Sequence, residues 1–102
     1  MKDETVLEVD KMGEVFEAFH QVTGCPEYIL KSKCRKPSFI YYRKVFINAS
    51  HILQYPKVDI AEFIGYRDHT PVINLLQNVV LTQHEASVIN SIVRYVIQKR
   101  SS

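Results

Sequence analysis

No stretch of this 102-residue sequence approaches the roughly 18 to 20 uninterrupted apolar residues that a membrane-spanning helix needs. The first ten residues are acidic and contain no apolar run of the kind found in secretory signal peptides. Cysteine is scarce, and Cys25 and Cys34 form neither a CxxC pair nor a dense disulfide framework. We therefore expect a cytoplasmic protein that has two free thiols and no membrane partner.

Glycine and proline are also few, with three and four residues, while 46% of the residues are hydrophobic and 24% are charged. This composition excludes collagen-like, low-complexity and disordered chains and is typical of a globular protein. The length is too short for two ordinary domains and sufficient for one hydrophobic core. We therefore expect one domain over residues 12–102, preceded by an acidic tail or linker at residues 1–11.

Acidic residues are missing from the whole stretch between Tyr28 and Val58, which contains seven basic residues. The formal net charge of +2 conceals this asymmetry, because residues 1–30 carry a net charge of −5 and residues 31–102 carry +7. Cations clustered without counter-charges form a surface on which a polyanion can dock. The alternative is a solvated surface neutralised by counterions.

The spacing of the apolar residues predicts helices throughout and no strand. From residue 12 onward they recur at intervals of three and four until Gly24 and Pro26 end the pattern. Residues 26–30 can add one or two helical turns. The polar string at residues 31–37 has no apolar period and is predicted to be an exposed loop.

Ser38 is placed to cap a long second amphipathic helix. This helix should stop near Pro56, because proline lacks a backbone donor and disfavours helical geometry in the residue before it. A short helix over residues 58–64 should end at Gly65, a residue type that is common just past a helix C-terminus.

Asp68 can cap the next helix, and Pro71 is tolerated in its first turn, where the backbone N–H groups have no partner within the helix. Its apolar arc is predicted to contain Val72, Ile73, Leu75, Leu76, Val79 and Val80. Thr82 and Glu85 match a capping box that opens the last helix. The predicted fold is thus an all-α, compact bundle of about five to six helices.

The segment from Lys57 to Val80 has the form of a helix-turn-helix: a short helix, a glycine-containing turn and a second helix with a polar first turn. The residues at the start of the second helix are Arg67, Asp68, His69 and Thr70. Residues at this position of a recognition helix reach base edges in the major groove. Asp68 can either cap the helix or accept from a cytosine amino group, so two roles compete for one carboxylate.

Two motifs in this chain resemble the C-terminal DNA-binding domain (domain IV) of the bacterial replication initiator DnaA, and the resemblance covers residues 12–80. The sequence G-Y-R-D-H-T at Gly65–Thr70 is similar to the family's G-G-R-D-H-T-T signature. The sequence S-K-C-R at Ser32–Arg35 precedes a helix that carries Arg43-Lys44, where the family has a basic loop followed by an Arg-Gln pair. The resemblance implies a Trp-repressor-like helix-turn-helix that binds double-stranded DNA at an AT-rich site, the DnaA box.

The same resemblance implies a role for each matching residue. Arg35 would enter the minor groove of an AT-rich segment, whose negative potential attracts arginine. The full set of base-contacting residues would be Arg35, Arg43, Asp68, His69 and Thr70, with a phosphate as the alternative contact for Arg43. The phosphate-contacting residues would be Lys31, Lys33, Lys36, Lys44, Lys57, Arg67 and Asn74.

Three positions depart from the family pattern. Pro71 replaces the second threonine of the signature, Lys44 replaces the glutamine of the Arg-Gln pair, and Tyr66 replaces a glycine in the turn. These departures predict a shifted or relaxed DNA specificity. The chain also has no room for the ATPase module of the initiator and no G-x-x-x-x-G-K-[ST] loop. We expect either a piece of a longer protein or a stand-alone relative, such as one from a phage or mobile element.

Other functions have weaker support in the sequence. A thiol hydrolase would need Cys25 or Cys34 in a recognisable nucleophile context, and a zinc site would need paired ligand spacing. We expect no catalysis, no cofactor and no metal. An adaptor of the same fold that binds an initiator or replisome component stays open as the alternative. The sequence favours a monomeric, nucleoid-associated duplex DNA binder that acts in replication initiation or its regulation.

Overall fold

A computed structural model of the chain describes residues 2–78 and 80–101, with side chains from residue 12 onward. These residues form six helices and no strand, which confirms the predicted all-α bundle. The helices are α1 (Lys2–Thr23), α2 (Glu27–Leu30), α3 (Pro37–Ile52), α4 (Lys57–Ile64), α5 (Thr70–Gln77) and α6 (Gln83–Ser101). None of these helices is both long and apolar enough to cross a membrane.

Helix α1 begins at Lys2, whereas the apolar spacing predicted a start at Met12. The predicted acidic tail or linker at residues 1–11 falls on residues whose side chains lie outside the described part of the chain. The end of α1 at Thr23 agrees with the prediction. Gly24, which follows it, adopts a left-handed conformation with φ of 75°, and its N–H bonds to the carbonyl of His20 at 2.7 Å.

The core lies around α3, and every helix contributes to it. Each supplies at least one fully buried side chain, for example Phe19, Leu30, Phe46, Ile60, Val72 and Ile92 in the order α1 to α6. The rings of Phe19 and Phe46 meet edge to face with their centroids 5.5 Å apart. Because all five other helices pack against α3, residues 45–50 of that helix are all buried.

The ends of α3 differ from the prediction in detail. Pro37 occupies the first turn, and Lys36 is the N-cap without a side-chain hydrogen bond, so Ser38 is not the cap. Proline fits this position because its fixed φ is already helical and its missing N–H is not needed there. The helix ends at Ile52, and Gln54 adopts a left-handed conformation (φ 70°) before Pro56 starts the approach to α4.

Helices α4 and α5 form the predicted helix-turn-helix layout. Gly65 ends α4 with φ of 105°, and the N–H groups of Gly65 and Tyr66 both bond to the carbonyl of Ala61 at 2.9 Å. A residue with a side chain would be strained at this φ, which explains the glycine. Helix α5 then runs for eight residues, with Pro71 in its first turn as predicted.

The predicted apolar arc of α5 is too long. The helix ends at Gln77, and Val80 lies in the connection to α6 with 83% of its surface exposed, while Val79 is outside the described residues. The capping box of α6 is confirmed in both directions. The N–H of Thr82 bonds to Glu85 Oε1 at 2.9 Å, and the N–H of Glu85 bonds to Thr82 Oγ1 at 3.1 Å.

Candidate nucleic-acid interface

The start of α5 is fully accessible to solvent. The residues Arg67, Asp68, His69 and Thr70 are all exposed, as the helix-turn-helix prediction requires. Asp68 Oδ1 accepts a 2.8 Å hydrogen bond from the N–H of Thr70, and this bond lowers the pKa of the Asp68 carboxyl below its usual range. The ionised carboxylate therefore satisfies a backbone donor at the start of α5, but it does so from the position before the N-cap, which is His69, so Asp68 is not the N-cap residue itself.

The segment 31–36, called the basic loop below, connects α2 and α3. Its side chains alternate, because Lys33 and Arg35 are exposed whereas Ser32 and Cys34 are half-buried. Alternation of this kind is expected when an extended segment lies along a surface and presents every second residue to solvent. The loop thus exposes Lys33 and Arg35 to solvent. Cys34 of the loop and Cys25 are both free thiols.

Arg43, which the resemblance assigns to DNA contact, lies beneath the basic loop. The residue is only 8% exposed and points beneath the basic loop. Its Nη1 donates to the carbonyl of Ser32 at 2.8 Å, its Nη2 donates to the carbonyl of Cys34, and its Nε donates to the carbonyl of Phe39 at 3.4 Å. The guanidinium is directed into the protein, where it binds backbone oxygens.

Lys44 is also engaged within the fold. Its Nζ lies 3.0 Å from Glu85 Oε1 and donates to the carbonyl of Val80 at 3.3 Å. This ion pair joins α3 to the capping box of α6. The hydrogen bond from the N–H of Thr82, and after it the interaction with Lys44, lowers the pKa of Glu85. Lys44 would have to give up these contacts to reach a phosphate.

The remaining predicted phosphate contacts vary in how accessible they are. Lys36 and Asn74 are exposed, and Lys57 is half-buried at the start of α4. Lys31 pairs with Glu27 at 2.7 Å and lies over the ring of Phe63, with 4.6 Å between Nζ and the ring centroid. An exposed pair of this kind is weak, so Lys31 can exchange its partner at little cost.

A surface depression brings the basic loop and the helix-turn-helix together. It is lined by Lys33, Arg35, Ile40, Arg43, Tyr66 and Leu75, which come from the loop, α3, the turn and α5. A smaller depression on the neighbouring side is lined by Tyr66 together with Arg67, Asp68 and His69. Tyr66 therefore lines both depressions.

Sequence reasoning did not assign Ile40 and Leu75 to this surface. Ile40 is 45% exposed, and the only signal for it was its position outside the apolar stripe of α3. Leu75 was assigned to the core side of α5, where it is half-buried and also reaches the depression.

The described part of the chain contains no group of three or more His, Cys, Asp or Glu side chains that could hold a metal ion. Comparisons with protein-family models, with curated proteins and with solved structures found no match.

Proposed function

We propose that this chain binds double-stranded DNA without catalysing a reaction. In this proposal the start of α5 enters the major groove and the basic loop enters the adjacent minor groove. The observation that carries it is a pair of depressions that share Tyr66, one lined by exposed Lys33 and Arg35 and the other by exposed Arg67 and His69. A surface with cations beside a helix N-terminus suits a phosphate backbone that runs between two grooves.

Base reading in the major groove is assigned to His69 and Thr70. Both side chains are exposed at the beginning of α5, and both can donate to and accept from base edges. Asp68 supports this readout by fixing the helix start through its bond to Thr70. A contact between Asp68 and a cytosine amino group would have to be compatible with that bond.

Arg35 is assigned to the minor groove, where a narrow AT-rich segment attracts an exposed guanidinium. The phosphate contacts are assigned first to Lys33, Lys36 and Arg67, whose side chains are exposed. Lys57, which is half-buried at the start of α4, is assigned as a further phosphate contact. Because such contacts do not depend on sequence, they set affinity and register, and the bases read by α5 and Arg35 set specificity.

The resemblance to the DNA-binding domain of the replication initiator extends the proposal to replication initiation or its regulation, by a monomer associated with the nucleoid. Tyr66 and Pro71 lie at the surface that would face DNA and differ from the family signature. We therefore propose an AT-rich site related to the DnaA box, with altered preference where the turn approaches the bases.

Fluorescence anisotropy tests this proposal. The chain is titrated onto a duplex that carries a DnaA box and onto a scrambled duplex, each over a salt series. Arg35→Ala and His69→Ala are measured beside Arg94→Ala, which removes one exposed positive charge on α6, outside the depression. Losing a base contact should weaken binding to the preferred duplex by about 1–3 kcal/mol. Arg94→Ala should change it little.

The outcomes separate the alternatives. A preference for the box that falls in both Arg35→Ala and His69→Ala supports inherited readout. Equal binding to both duplexes with a steep salt dependence means that the chain binds DNA, but that its preference for the DnaA box has changed or been lost. Absence of binding at low salt overturns the proposal and favours the adaptor that binds an initiator or replisome component.

A further inference from the structure

The basic loop has few hydrogen bonds of its own. The N–H groups of Lys31 and Ser32 bond back to Glu27 and Ile29, as in a helix end, and the N–H of Cys34 bonds to Ser32 Oγ at 3.1 Å. The loop contains no helical or strand residue. A connection of this composition, in which four of the six residues are lysine or arginine, samples many conformations unless something else fixes it.

Arg43 on α3 constrains the conformation of the loop through hydrogen bonds to its backbone. Its Nη1 and Nη2 donate to the carbonyls of Ser32 and Cys34, two alternate residues of the loop. Fixing two alternate carbonyls fixes the rotation of this segment about its own axis, and with it the directions of the side chains between and after them, Lys33 and Arg35, which are exposed. The orientation of the two outward cations thus depends on one buried guanidinium.

We propose that Arg43 is a positioning residue, which fixes the basic loop in its extended form and so orders Arg35 and Lys33 before DNA arrives. The consequence for binding rests on the proposed function, whereas the fixing of the loop does not. Ordering long side chains and a loop in the free protein removes part of the entropy loss on association.

The chemistry of arginine suits this task better than that of lysine. A guanidinium presents five donors in a planar fork, so one side chain can hold separate carbonyls at fixed angles. An ammonium group is a point charge on a flexible stem and cannot reproduce that geometry.

The charge of Arg43 has a second effect. Among the described residues no carboxylate lies within ion-pair distance of it, so its positive charge is balanced only by carbonyl dipoles. Arg43 also lines the depression beside Lys33 and Arg35. It therefore adds to the positive potential at the place where the proposed DNA backbone would pass.

Trypsin provides a direct test in the free protein, because the loop contains three cleavage sites, after Lys31, Lys33 and Arg35, whereas the bond from Lys36 to Pro37 resists trypsin. Arg43→Lys keeps the charge and removes the fork, and Arg94→Lys makes the same chemical change at an exposed site on α6. We expect Arg43→Lys to accelerate cleavage within the loop relative to sites elsewhere in the chain. Arg94→Lys should leave the ratio unchanged.

Normalising to other sites keeps the test decisive if the variant is destabilised. A uniform rise in cleavage along the chain would mean that Arg43 is a general stabiliser, and that result overturns the proposal. An unchanged rate of loop cleavage in Arg43→Lys also overturns it. Arg43→Gln lacks both the charge and the fork, so it should also accelerate cleavage within the loop relative to other sites. An unchanged ratio in Arg43→Gln would contradict the account.

A double-mutant cycle with Arg35 tests the consequence for DNA. Arg43→Lys should weaken binding by roughly threefold to tenfold, the range expected for losing the order of one or two side chains. In an Arg35→Ala background the same change should have a smaller effect, because the contact through which Arg43 acts is gone. Equal effects in both backgrounds would contradict action through Arg35. If the unmodified chain binds no DNA, the proposed function fails, and the cleavage ratio still decides whether Arg43 fixes the loop.

Discussion

Asp68 and Thr70 are joined by a 2.8 Å hydrogen bond from the backbone N–H of Thr70 to Asp68 Oδ1. The bond lies at the point where α5 begins, on the surface assigned to DNA. It gives a carboxylate a structural reason to be present on a surface that would otherwise repel phosphate. The first two predictions follow from this relationship.

Replacing Asp68 with alanine should loosen the start of α5. Without the carboxylate the N–H of Thr70 has no side-chain acceptor, so the first turn should fray and its amides, up to Val72, should exchange with solvent faster. Asp68→Asn is the matched control, because asparagine is an equally good cap. Amide exchange by NMR measures both, and equal exchange in Asp68→Ala and the unmodified chain would contradict the capping role.

The cap should also weaken in acid. The bond from Thr70 depresses the pKa of Asp68 in the folded chain, so the stabilisation is complete above the pKa of the unfolded carboxyl, near 4. It is lost as the pH falls through the lower, folded value. We expect protection of the Thr70 amide to decrease below about pH 4 in the unmodified chain. In Asp68→Asn, which does not titrate, protection of this amide should lack that decrease.

Tyr55 should make stability depend on alkaline pH. Its hydroxyl donates to Glu14 Oε2 at 2.5 Å and lies 3.1 Å from Arg100 Nη2; burial and the hydrogen bond to Glu14 raise its pKa to about 12. A raised folded pKa gives stability that is complete below the unfolded value, near 10, and is lost as the pH rises toward 12. Tyr55→Phe should therefore be the less stable protein at pH 8, by about 1 kcal/mol for one buried hydrogen bond.

Thermal unfolding of both proteins from pH 8 to pH 12 checks this prediction. The difference in stability should shrink as the pH rises. The raised pKa of Cys25, about 11, affects both proteins alike and cancels in the comparison. A difference that stays constant over this range would show that the Tyr55 hydroxyl does not titrate as its surroundings require.

Lys44 and Lys57 should give opposite results when each is replaced by methionine. Lys44 is held by Glu85 and the carbonyl of Val80, so Lys44→Met should lower stability by up to about 1 kcal/mol and leave the salt dependence of DNA binding nearly unchanged. Lys57→Met should instead weaken binding to all duplexes alike and reduce the salt slope by about 1. Unfolding curves and anisotropy distinguish the two, and the reverse pattern would contradict these assignments.

The boundaries that could be predicted from the sequence are those set by local chemistry. Gly65 ends α4 because a left-handed residue is needed there, and Thr82 with Glu85 opens α6 through two local hydrogen bonds. Pro71 lies in a first turn, where its missing donor has no effect. These features depend on residues within a few positions of one another, so no knowledge of the fold is required.

The features that could not be predicted depend on distant contacts. Apolar spacing in α3 indicates one buried face, but residues 45–50 are all buried because five other helices pack against this helix. For the same reason a sequence motif cannot distinguish an arginine that faces solvent from one that lies under a loop. The position of Arg43 matches the resemblance. Its carbonyl partners in the loop, Ser32 and Cys34, lie 11 and 9 residues away in the sequence, so these contacts depend on the fold.

An NMR titration of the chain with an AT-rich duplex tests the central claim most directly, because it reports where DNA binds as well as whether it binds. The account predicts that amide signals at residues 33–36, 66–70 and 72–74 shift or broaden at low salt, while those of Glu14, Tyr55 and Arg100 stay in place. Shifts confined to this second group, or none anywhere on addition of one equivalent, would contradict duplex binding through α5 and the basic loop.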